Sequence, residues 1–470
     1  MYKNAAEIVE AIRTGETTAE QVTAFYLSRI AENEEIHSFI TLNENALEEA
    51  RALDERLAAG ASCGRLCGVP IAVKDNVLTK GLRTTCGSKA LKDFIPPFDA
   101  TLITKIREEG GIILGKTNMD EFAMGSSSET SYFGVTKNPL DTDLVPGGSS
   151  SGSASCIAAG EAMIAVGTDT GGSIRQPASY CGIYGYYPSY GTISRYGIVS
   201  MANSLDQAGV LANGVDDLRL LAEVMGGCDP HDPTSMREER PDLGADEHYE
   251  LKGKRIGYPS NLDEFPMDEP VKESFEKGLA LLKEQGAELE PVTFETLRYA
   301  LSVYNIIVAA EVSSNMSRFD GIIIGRHTED YASNRELYTK TRSEHFGEEV
   351  KRRIAMGTLY LGSDSDQKLY KKAMRVRRKL AKEAEGFFSD YDFLVTPTTN
   401  DMPFRIGARI DDPMAMYDSD LFTVSVNLCG LCAVSIPMQE GLGGSIQLIA
   451  NRFDDKNLLH AAQCVERSLA

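Results

Sequence analysis

The sequence lacks any apolar run of the roughly 18 residues that a membrane-spanning helix requires. It also lacks a repeat period, although it contains 42 glycines and 18 prolines, which excludes collagen-like and low-complexity proteins. The first ten residues include acidic side chains and no apolar segment, so we expect no signal peptide and a cytoplasmic location. The 470 residues are 42% hydrophobic and 25% charged, the usual composition of a soluble globular protein.

The sequence has fewer basic than acidic residues: it contains 48 lysines and arginines and 69 aspartates and glutamates, which gives a net charge of −21. A surface this acidic repels phosphate groups, so we do not expect the chain to hold nucleic acid or anionic lipid by itself. It can still belong to a larger assembly that does so.

The nine cysteines are an odd number in a long chain, which favours reduced thiols in a cytoplasm. The pairs Cys63/Cys67 and Cys429/Cys432 have spacings that a zinc site could use. Both pairs lie among apolar or small residues, without a Cys/His pair of matching spacing, so we expect buried thiols and no metal site. The six histidines are scattered, and none is next to a serine-rich turn.

Alternating helix and strand patterns predict an α/β fold. A capping box at Thr18 and Gln21 begins an amphipathic helix. The polar stretch 228–250 is expected at the surface. Further helices are predicted over residues 100–109, 271–285 and 368–385. Buried strands are predicted over residues 67–76 and 391–397, and two other strands over residues 111–114 and 253–259.

Residues 110–117 match the P-loop pattern, with Lys116 at the position that would contact phosphate. That motif needs a strand, then a glycine loop, then a helix. Here a predicted helix precedes Gly110, and the Gly-Ile-Ile-Leu segment favours a strand over a loop. We therefore expect no nucleotide to bind here.

Two glycine- and serine-rich turns carry the residues best suited to chemistry. Residues 146–153 and 169–175 each contain a Gly-Gly-Ser sequence, which lets backbone amides point at one spot. Such amides can form an oxyanion hole beside the Ser173 hydroxyl, but flexible loops or a phosphate cradle would have the same composition. A serine nucleophile also needs a base. Lys74 ends an apolar segment, and a buried lysine can be neutral, although a solvated lysine at a strand end is the alternative.

Over nearly its whole length the sequence resembles the amidase signature family. The matching motifs are Gly-Val-Pro-Ile-Ala-Val-Lys74-Asp, Pro-Gly-Gly-Ser149-Ser and Gly-Thr-Asp-Thr-Gly-Gly-Ser173-Ile-Arg, and their separations (149 − 74 = 75 and 173 − 149 = 24) match as well. The resemblance implies an amidase signature fold, a large mixed central β-sheet covered by helices on both faces. It implies that Ser173 is the nucleophile, Ser149 a bridging serine after a cis peptide bond, and Lys74 the base. The backbone amides implied for the oxyanion hole are those of Thr170, Gly171 and Gly172.

Within the family the chain is most similar to the glutaminase subunits of tRNA-dependent amidotransferases. The similarity implies that Arg353 and Asp420 hold the α-carboxylate and α-amine of glutamine, and that Tyr304 lines the same pocket. Without it, Arg353 would be interpreted as part of a surface ion pair. The segments that carry the similarity are residues 119–127, 176–182, 190–199, 204–207, 311–321 and 341–354.

Such a protein would hydrolyse glutamine and pass ammonia to a partner, the B subunit, where Glu-tRNA(Gln) or Asp-tRNA(Asn) is amidated. ATP, magnesium and tRNA would be bound by that partner, the small C subunit would complete a heterotrimer, and this chain would need no cofactor. A free-standing amidase for a small amide and a catalytically silent scaffold are the alternatives.

The resemblance also divides the chain, which we expect to be one domain over residues 1–470. N-terminal helices cover 1–60, the amidase signature core 61–215, an insertion with the substrate pocket 216–360, and a part completing the sheet 361–470. The sequence departs from the family's pattern at Ser151, where glycine is usual, Tyr187, where lysine is usual, Cys432, where proline is common, and residues 441–447.

Overall fold

The computed structural model describes residues 2–294, 297–362, 367–410 and 412–469. Helices and strands alternate along these residues, which confirms the predicted α/β class. The strands are β1 (Phe39–Leu42), β2 (Pro70–Lys74), β3 (Ile112–Thr117), β4 (Ile164–Asp169), β5 (Tyr184–Tyr187), β6 (Gln207–Ala212), β7 (Arg255–Pro259), β8 (Glu288–Val292), β9 (Phe393–Pro397), β10 (Cys432–Pro437) and β11 (Ser445–Ala450).

The α-helices of the described residues connect and cover these strands. In chain order they are α1 (Ala5–Thr14), α2 (Ala19–Glu32), α3 (Ala46–Ala58), α4 (Thr101–Glu108), α5 (Ser151–Ala158), α6 (Arg175–Tyr180), α7 (Val215–Met225), α8 (Glu269–Glu284), α9 (Ala300–Asn315), α10 (Asn334–His345), α11 (Glu348–Leu361), α12 (Lys368–Phe387), α13 (Pro413–Asp418), α14 (Val424–Cys429) and α15 (Asp455–Leu469).

One mixed sheet runs through the described residues in the order β1-β3-β2-β4-β6-β5-β10-β11-β9-β7-β8. Pairing is parallel where β2 lies between β3 and β4, and where β7 lies between β8 and β9; the other pairs are antiparallel. Every residue of β2, β3, β4, β6 and β11 is buried, which requires cover on both faces of the sheet. This confirms the predicted mixed sheet.

The parallel pairing of β2 with β4 prepares the candidate site. Val73 lies opposite Val166, so the carboxyl ends of both strands reach the same edge of the sheet. Lys74 at the end of β2 therefore lies beside the turn that follows Asp169. Ligands of open α/β sheets bind outside such strand ends.

A second hydrophobic cluster packs the helices that cover this edge. It joins buried residues of α9, α11, α12 and α14 to the segment 119–124. Tyr304 of α9 and Val350 of α11 belong to it. The cluster thereby ties the helices that carry the predicted substrate contacts to one another.

Local predictions agree with the structure at most elements. The Thr18 hydroxyl accepts the Gln21 N–H at the start of α2, as the capping box predicts. The P-loop match folds as the buried strand β3, paired with β1 and β2, rather than as a loop. The stretch 228–250 contains neither helix nor strand.

The prediction that the cysteines are thiols is wrong for one pair. Cys63 and Cys67 form a disulfide, because the turn between them brings their Cα atoms to 5.5 Å, a separation that a disulfide spans. Among the described residues, no group of three or more His, Cys, Asp and Glu side chains could hold a metal ion. In the same part of the chain, no helix combines the length and apolar character that crossing a membrane would need.

Candidate active site

Lys74 is fully buried, and its Nζ makes three short contacts with oxygen atoms. These are Ser149 Oγ at 2.8 Å, Ser150 Oγ at 2.8 Å and the carbonyl oxygen of Thr168 at 3.0 Å. Burial lowers the pKa of Lys74 to about 7, because an ammonium loses its hydration there. Three carboxylates oppose this shift without cancelling it, those of Asp120, Asp169 and Asp206.

The three contacts of Nζ assign the proton positions around it. A neutral amine has two N–H donors and one lone pair, so one of the three oxygens must donate to it. The Thr168 carbonyl can only accept. The Ser150 hydroxyl donates to that same carbonyl at 3.0 Å, so it too accepts from Lys74. Ser149 is therefore the hydroxyl that can donate its proton to the lone pair of a neutral Lys74.

The turn before Ser149 is held by its neighbours. The peptide bond between Gly148 and Ser149 is cis, as the resemblance implied. The Gly148 N–H donates to Gln176 Oε1 at 2.8 Å, and Gln176 Nε2 donates to the Ser126 carbonyl at 3.1 Å. A Cβ at position 148 would lie 2.1 Å from Asp120 Oδ2, so only glycine fits beside this carboxylate.

Ser173 lies in the turn after β4 and is half-buried. Its carbonyl accepts the Ser150 N–H at 3.1 Å, which joins the two Gly-Gly-Ser turns. Among the described residues the Ser173 hydroxyl has no hydrogen-bond partner, so no hydrogen bond joins it directly to the Ser149 hydroxyl. Such contacts often tighten only when a substrate is bound.

The predicted oxyanion-hole residues lie in the same turn, but their amides differ in whether they already have a hydrogen-bond acceptor. The Gly172 N–H donates to Asp169 Oδ1 at 2.8 Å and so serves the turn itself. The amides of Thr170, Gly171 and Ser173 have no acceptor among the described residues, and so can meet a ligand. The Thr170 side chain is fixed separately, since its hydroxyl donates to Asp206 Oδ1 at 2.7 Å.

The Asp169 carboxylate organises this turn together with Arg175. Arg175 is fully buried and donates to both Asp169 oxygens at 3.0 Å. Burial raises the pKa of Asp169, but the Arg175 charge and the hydrogen bonds outweigh it, so the pKa lies below its usual value. Arg175 also donates at 2.6 Å to Asn427 Oδ1 and to Gln447 Oε1. Sequence reasoning missed this network, because its members lie about 250 residues apart along the chain.

The predicted substrate contacts lie next to the two glycines of the turn. A Cβ on Gly171 would be 2.4 Å from the Tyr304 ring, and one on Gly172 would be 2.9 Å from Asp420 Oδ1. Burial, and then the Asp169 charge, raise the pKa of Asp420 to about 8.

Arg353, on α11, is 7% exposed and acts electrostatically on both Tyr304 and Asp420. Its Nε donates to Glu349 Oε1 at 2.7 Å. Its two terminal nitrogens have no hydrogen bond to the described residues. They form the edge of the guanidinium that can hold a carboxylate with two parallel bonds.

Of the departures from the family's pattern, Tyr187, Ser151 and the segment 441–447 adjoin residues of this site. The Tyr187 ring is 4.8 Å from the Arg175 guanidinium, and its buried hydroxyl has no partner among the described residues. The Ser151 hydroxyl donates to the Asn118 carbonyl at 3.3 Å. Cys432 is a buried residue of β10. The segment 441–447 ends at the glutamine that binds Arg175.

A family model described as Amidase matches residues 21–459. The chain belongs to the amidase family. Among its relatives, a protein of Persephonella marina named as the A subunit of glutamyl-tRNA(Gln) amidotransferase is 45% identical over 460 residues, covering 97% of this chain and 95% of that protein. A protein of the same name from Symbiobacterium thermophilum is 46% identical over 469 residues, covering 99% and 96%.

Solved structures of the amidase family agree with this assignment. The crystal structure of the A subunit of glutamyl-tRNA(Gln) amidotransferase from Thermotoga maritima has a TM-score of 0.80 at 38% identity, covering 96% of this chain and 91% of that one. A bacterial aryl acylamidase of the amidase signature family has a TM-score of 0.88 at 25% identity, covering 99% and 96%. The relatives and the structures therefore share the fold over the whole matched length.

Proposed function

We propose that this chain is the glutaminase subunit of a tRNA-dependent amidotransferase. The observation that carries the proposal is the pair formed by Asp420, against Gly172, and Arg353, whose charge acts on Asp420. A zwitterionic amino acid needs one fixed anion and one fixed cation next to the reacting serine, whereas a simple amide has no use for them. The name of the relatives supports a subunit of an amidotransferase that acts on glutamyl-tRNA(Gln).

In the proposed reaction, neutral Lys74 accepts the proton of Ser149, and Ser149 accepts the proton of Ser173. The Ser173 oxygen then attacks the side-chain amide carbon of glutamine. The free amides of Thr170, Gly171 and Ser173 stabilise the negative oxygen that develops, and each such donor typically lowers the barrier by about 3 kcal/mol. Gly172 contributes by fixing the turn through Asp169.

The departing nitrogen takes its proton back along the same path, from Lys74 through Ser149, and leaves as ammonia. A glutamyl ester remains on Ser173. Water, deprotonated by the same relay, cleaves the ester and releases glutamate. The chemistry uses only groups of this chain and needs no bound cofactor.

We propose further that the ammonia passes to the B subunit, which binds ATP, magnesium and Glu-tRNA(Gln) or Asp-tRNA(Asn), and that the small C subunit completes a cytoplasmic heterotrimer. The net charge of −21 supports this division, because an acidic chain is a poor binder of tRNA and nucleotide phosphates. We also propose that residues 1–470 are one domain. The shared sheet supports this, since β5 in the first half of the chain pairs with β10 near its C-terminal end.

The catalytic roles are tested by ammonia release from glutamine in the complex co-purified with its partner proteins. Ser173→Ala and Lys74→Ala are expected to lower kcat by at least about 1,000-fold. Ser149→Ala and Ser150→Ala form a matched pair, since both hydroxyls bind Lys74 at 2.8 Å. Only Ser149 is assigned to the relay, so its loss should cost about 100-fold more than the loss of Ser150. Equal losses would contradict the relay through Ser149.

Co-purification and substrate choice test whether the chain works within a complex. Two companion proteins and turnover of glutamine are expected. Turnover of acetamide or benzamide by the isolated chain, with glutamine ignored, would identify a free-standing amidase instead. Labelling of wild-type chain, but not of Ser173→Ala, by a serine-reactive phosphonate excludes a silent scaffold.

A further inference from the structure

Glu349 is a buried acid that the proposed reaction does not use. It lies in the first turn of α11, one helical turn before Arg353, and its side chain is 10% exposed. Its Oε1 accepts from Arg353 Nε at 2.7 Å and from the Tyr417 hydroxyl at 2.5 Å. Its Oε2 accepts from Arg352 Nη1. One carboxylate therefore binds three donors around the predicted carboxylate-binding arginine.

These contacts leave Arg353 one free edge. Glu349 accepts the hydrogen bond from Nε of Arg353. The Tyr417 ring lies 5.2 Å from the guanidinium carbon and covers one face of the guanidinium. Because the guanidinium is planar, fixing its Nε and one face also fixes the direction of its two terminal nitrogens. Those nitrogens have no hydrogen bond to the described residues, so they are the ones available to a ligand.

Within the cluster of Glu349 and the two arginines that it binds, the charges favour binding an anion. Arg352, Arg353 and Glu349 together carry one net positive charge. Burial by itself would lower the pKa of Arg353, but the Glu349 carboxylate outweighs it and raises the pKa above its usual range. The arginine thus stays charged, while its own anion holds it in place.

We propose that Glu349 is a positioning residue that makes the pocket selective for amides carrying an α-carboxylate, by holding the terminal nitrogens of Arg353 toward the ligand. This inference rests on the proposed function, because the α-carboxylate that Arg353 would hold belongs to the same molecule whose amide Ser173 attacks.

The test compares two amides in the co-purified complex: L-glutamine and 4-aminobutanamide, which is glutamine without its α-carboxylate. Glu349→Ala should raise KM for glutamine about 10- to 100-fold and leave kcat within about 3-fold, since binding rather than chemistry is weakened. The affinity for 4-aminobutanamide should not change. Where its turnover is slow, its inhibition of glutamine hydrolysis measures that affinity.

Two further variants sharpen the comparison. Glu348→Ala is the matched control, because Glu348 precedes Glu349 in the same turn but is 84% exposed and pairs only with Lys351 in the described residues; it should leave both affinities unchanged. Glu349→Gln keeps the shape and an oxygen acceptor for Arg353, so its KM for glutamine should rise by less than that of Glu349→Ala.

The outcomes separate the two proposals. Equal loss of affinity for both amides in Glu349→Ala and Glu349→Gln would show a merely structural role and overturn the inference. Unchanged glutamine KM in both variants would overturn it as well. If the wild-type complex releases no ammonia from glutamine, the proposed function fails, and the inference fails with it.

Discussion

At the scale of single residues, the proposed mechanism depends on an uncharged lysine. Lys74 is surrounded by buried carboxylates that favour its ammonium, yet the loss of hydration has the larger effect and lowers its pKa to about 7. The fixed acceptors Thr168 and Ser150 then leave Ser149 as the proton donor to it. In the proposed mechanism, burial and hydrogen-bond geometry, rather than a histidine, supply the base.

The pH dependence of glutamine hydrolysis follows from two of these groups. Below a pH of about 7, Lys74 is protonated and cannot accept a proton, so kcat should rise with pH through that value. Asp420 must be ionised to bind the substrate's ammonium, so KM should fall as pH rises through about 8. Initial rates of ammonia release across this range measure both. In Asp420→Asn the KM dependence should vanish while the kcat dependence remains; a kcat that is flat across neutral pH would contradict the role of Lys74.

The Tyr187 hydroxyl gives a prediction about stability. It is buried without a partner among the described residues, while its ring stacks on Arg175. Removing an unsatisfied buried hydroxyl should raise the free energy of unfolding by about 1 kcal/mol, so Tyr187→Phe should melt at a higher temperature than the wild type. Tyr187→Ala, which also removes the stacked ring, should melt lower. A lower melting temperature for Tyr187→Phe would mean that the hydroxyl is bonded.

At the scale of elements, the site is assembled by the packing of α9 and α11. These helices lie far along the chain from β2 and β4, the strands that end at the site. α9 carries Tyr304 and α11 carries Arg353. The backbones of these two helices come into close contact at Gly357, where a Cβ would lie 1.8 Å from the Ala309 carbonyl oxygen. A glycine in mid-helix is usually unfavourable, but here it permits the approach that brings the two predicted substrate contacts together.

Gly357→Ala should therefore destabilise the protein by about 1–3 kcal/mol, although alanine favours helices, because the two helices must separate. It should also raise KM for glutamine. Gly386→Ala is the control, since Gly386 lies near the end of α12 with nothing within 4 Å of an added Cβ. That variant should be stabilised by up to about 1 kcal/mol. Thermal melting of both variants tests the pair, and a stabilised Gly357→Ala would contradict the close packing of α9 on α11.

At the scale of the whole molecule, the dominant feature is the net charge of −21. Like charges repel one another across a compact surface, and this repulsion destabilises the folded state. Buried acids also destabilise the folded state as pH rises from about 4: burial raises the pKa of Glu161 to about 8, and that of Asp217 to about 7. The folded state holds those protons more tightly than the unfolded one, so stability from these groups is lost as pH rises toward 8.

Salt should consequently stabilise the protein at alkaline pH. At pH of about 8, raising sodium chloride from about 0.05 M to about 0.5 M should increase the melting temperature, because it screens the repulsion. Near the isoelectric point of about 4.8 the same change should have little effect, since the net charge there is close to zero. A melting temperature that falls with salt at pH 8 would show that attractive ion pairs outweigh the repulsion.

Local patterns were enough to predict several elements of this protein. The apolar segment that ends at Lys74 forms a buried strand, and the two Gly-Gly-Ser turns lie at its edge. The apparent P-loop could be rejected because its neighbours in sequence favour a strand. The cysteine prediction was wrong for Cys63 and Cys67, since their pairing depends on a turn that the spacing alone did not reveal.

Patterns of a few neighbouring residues are enough to specify the reactive groups and the strands and turns that present them. The contacts that support these reactive residues form only in the folded chain. Arg175, which binds Asp169, donates a hydrogen bond to Asn427, and the Tyr417 hydroxyl donates one to Glu349. Those contacts join residues far apart in the chain, and their strength comes from excluding water at one edge of the sheet. The local pattern predicted that Lys74 ends a buried strand, but the folded chain decides how fully its amine loses water and in which direction Arg353 points.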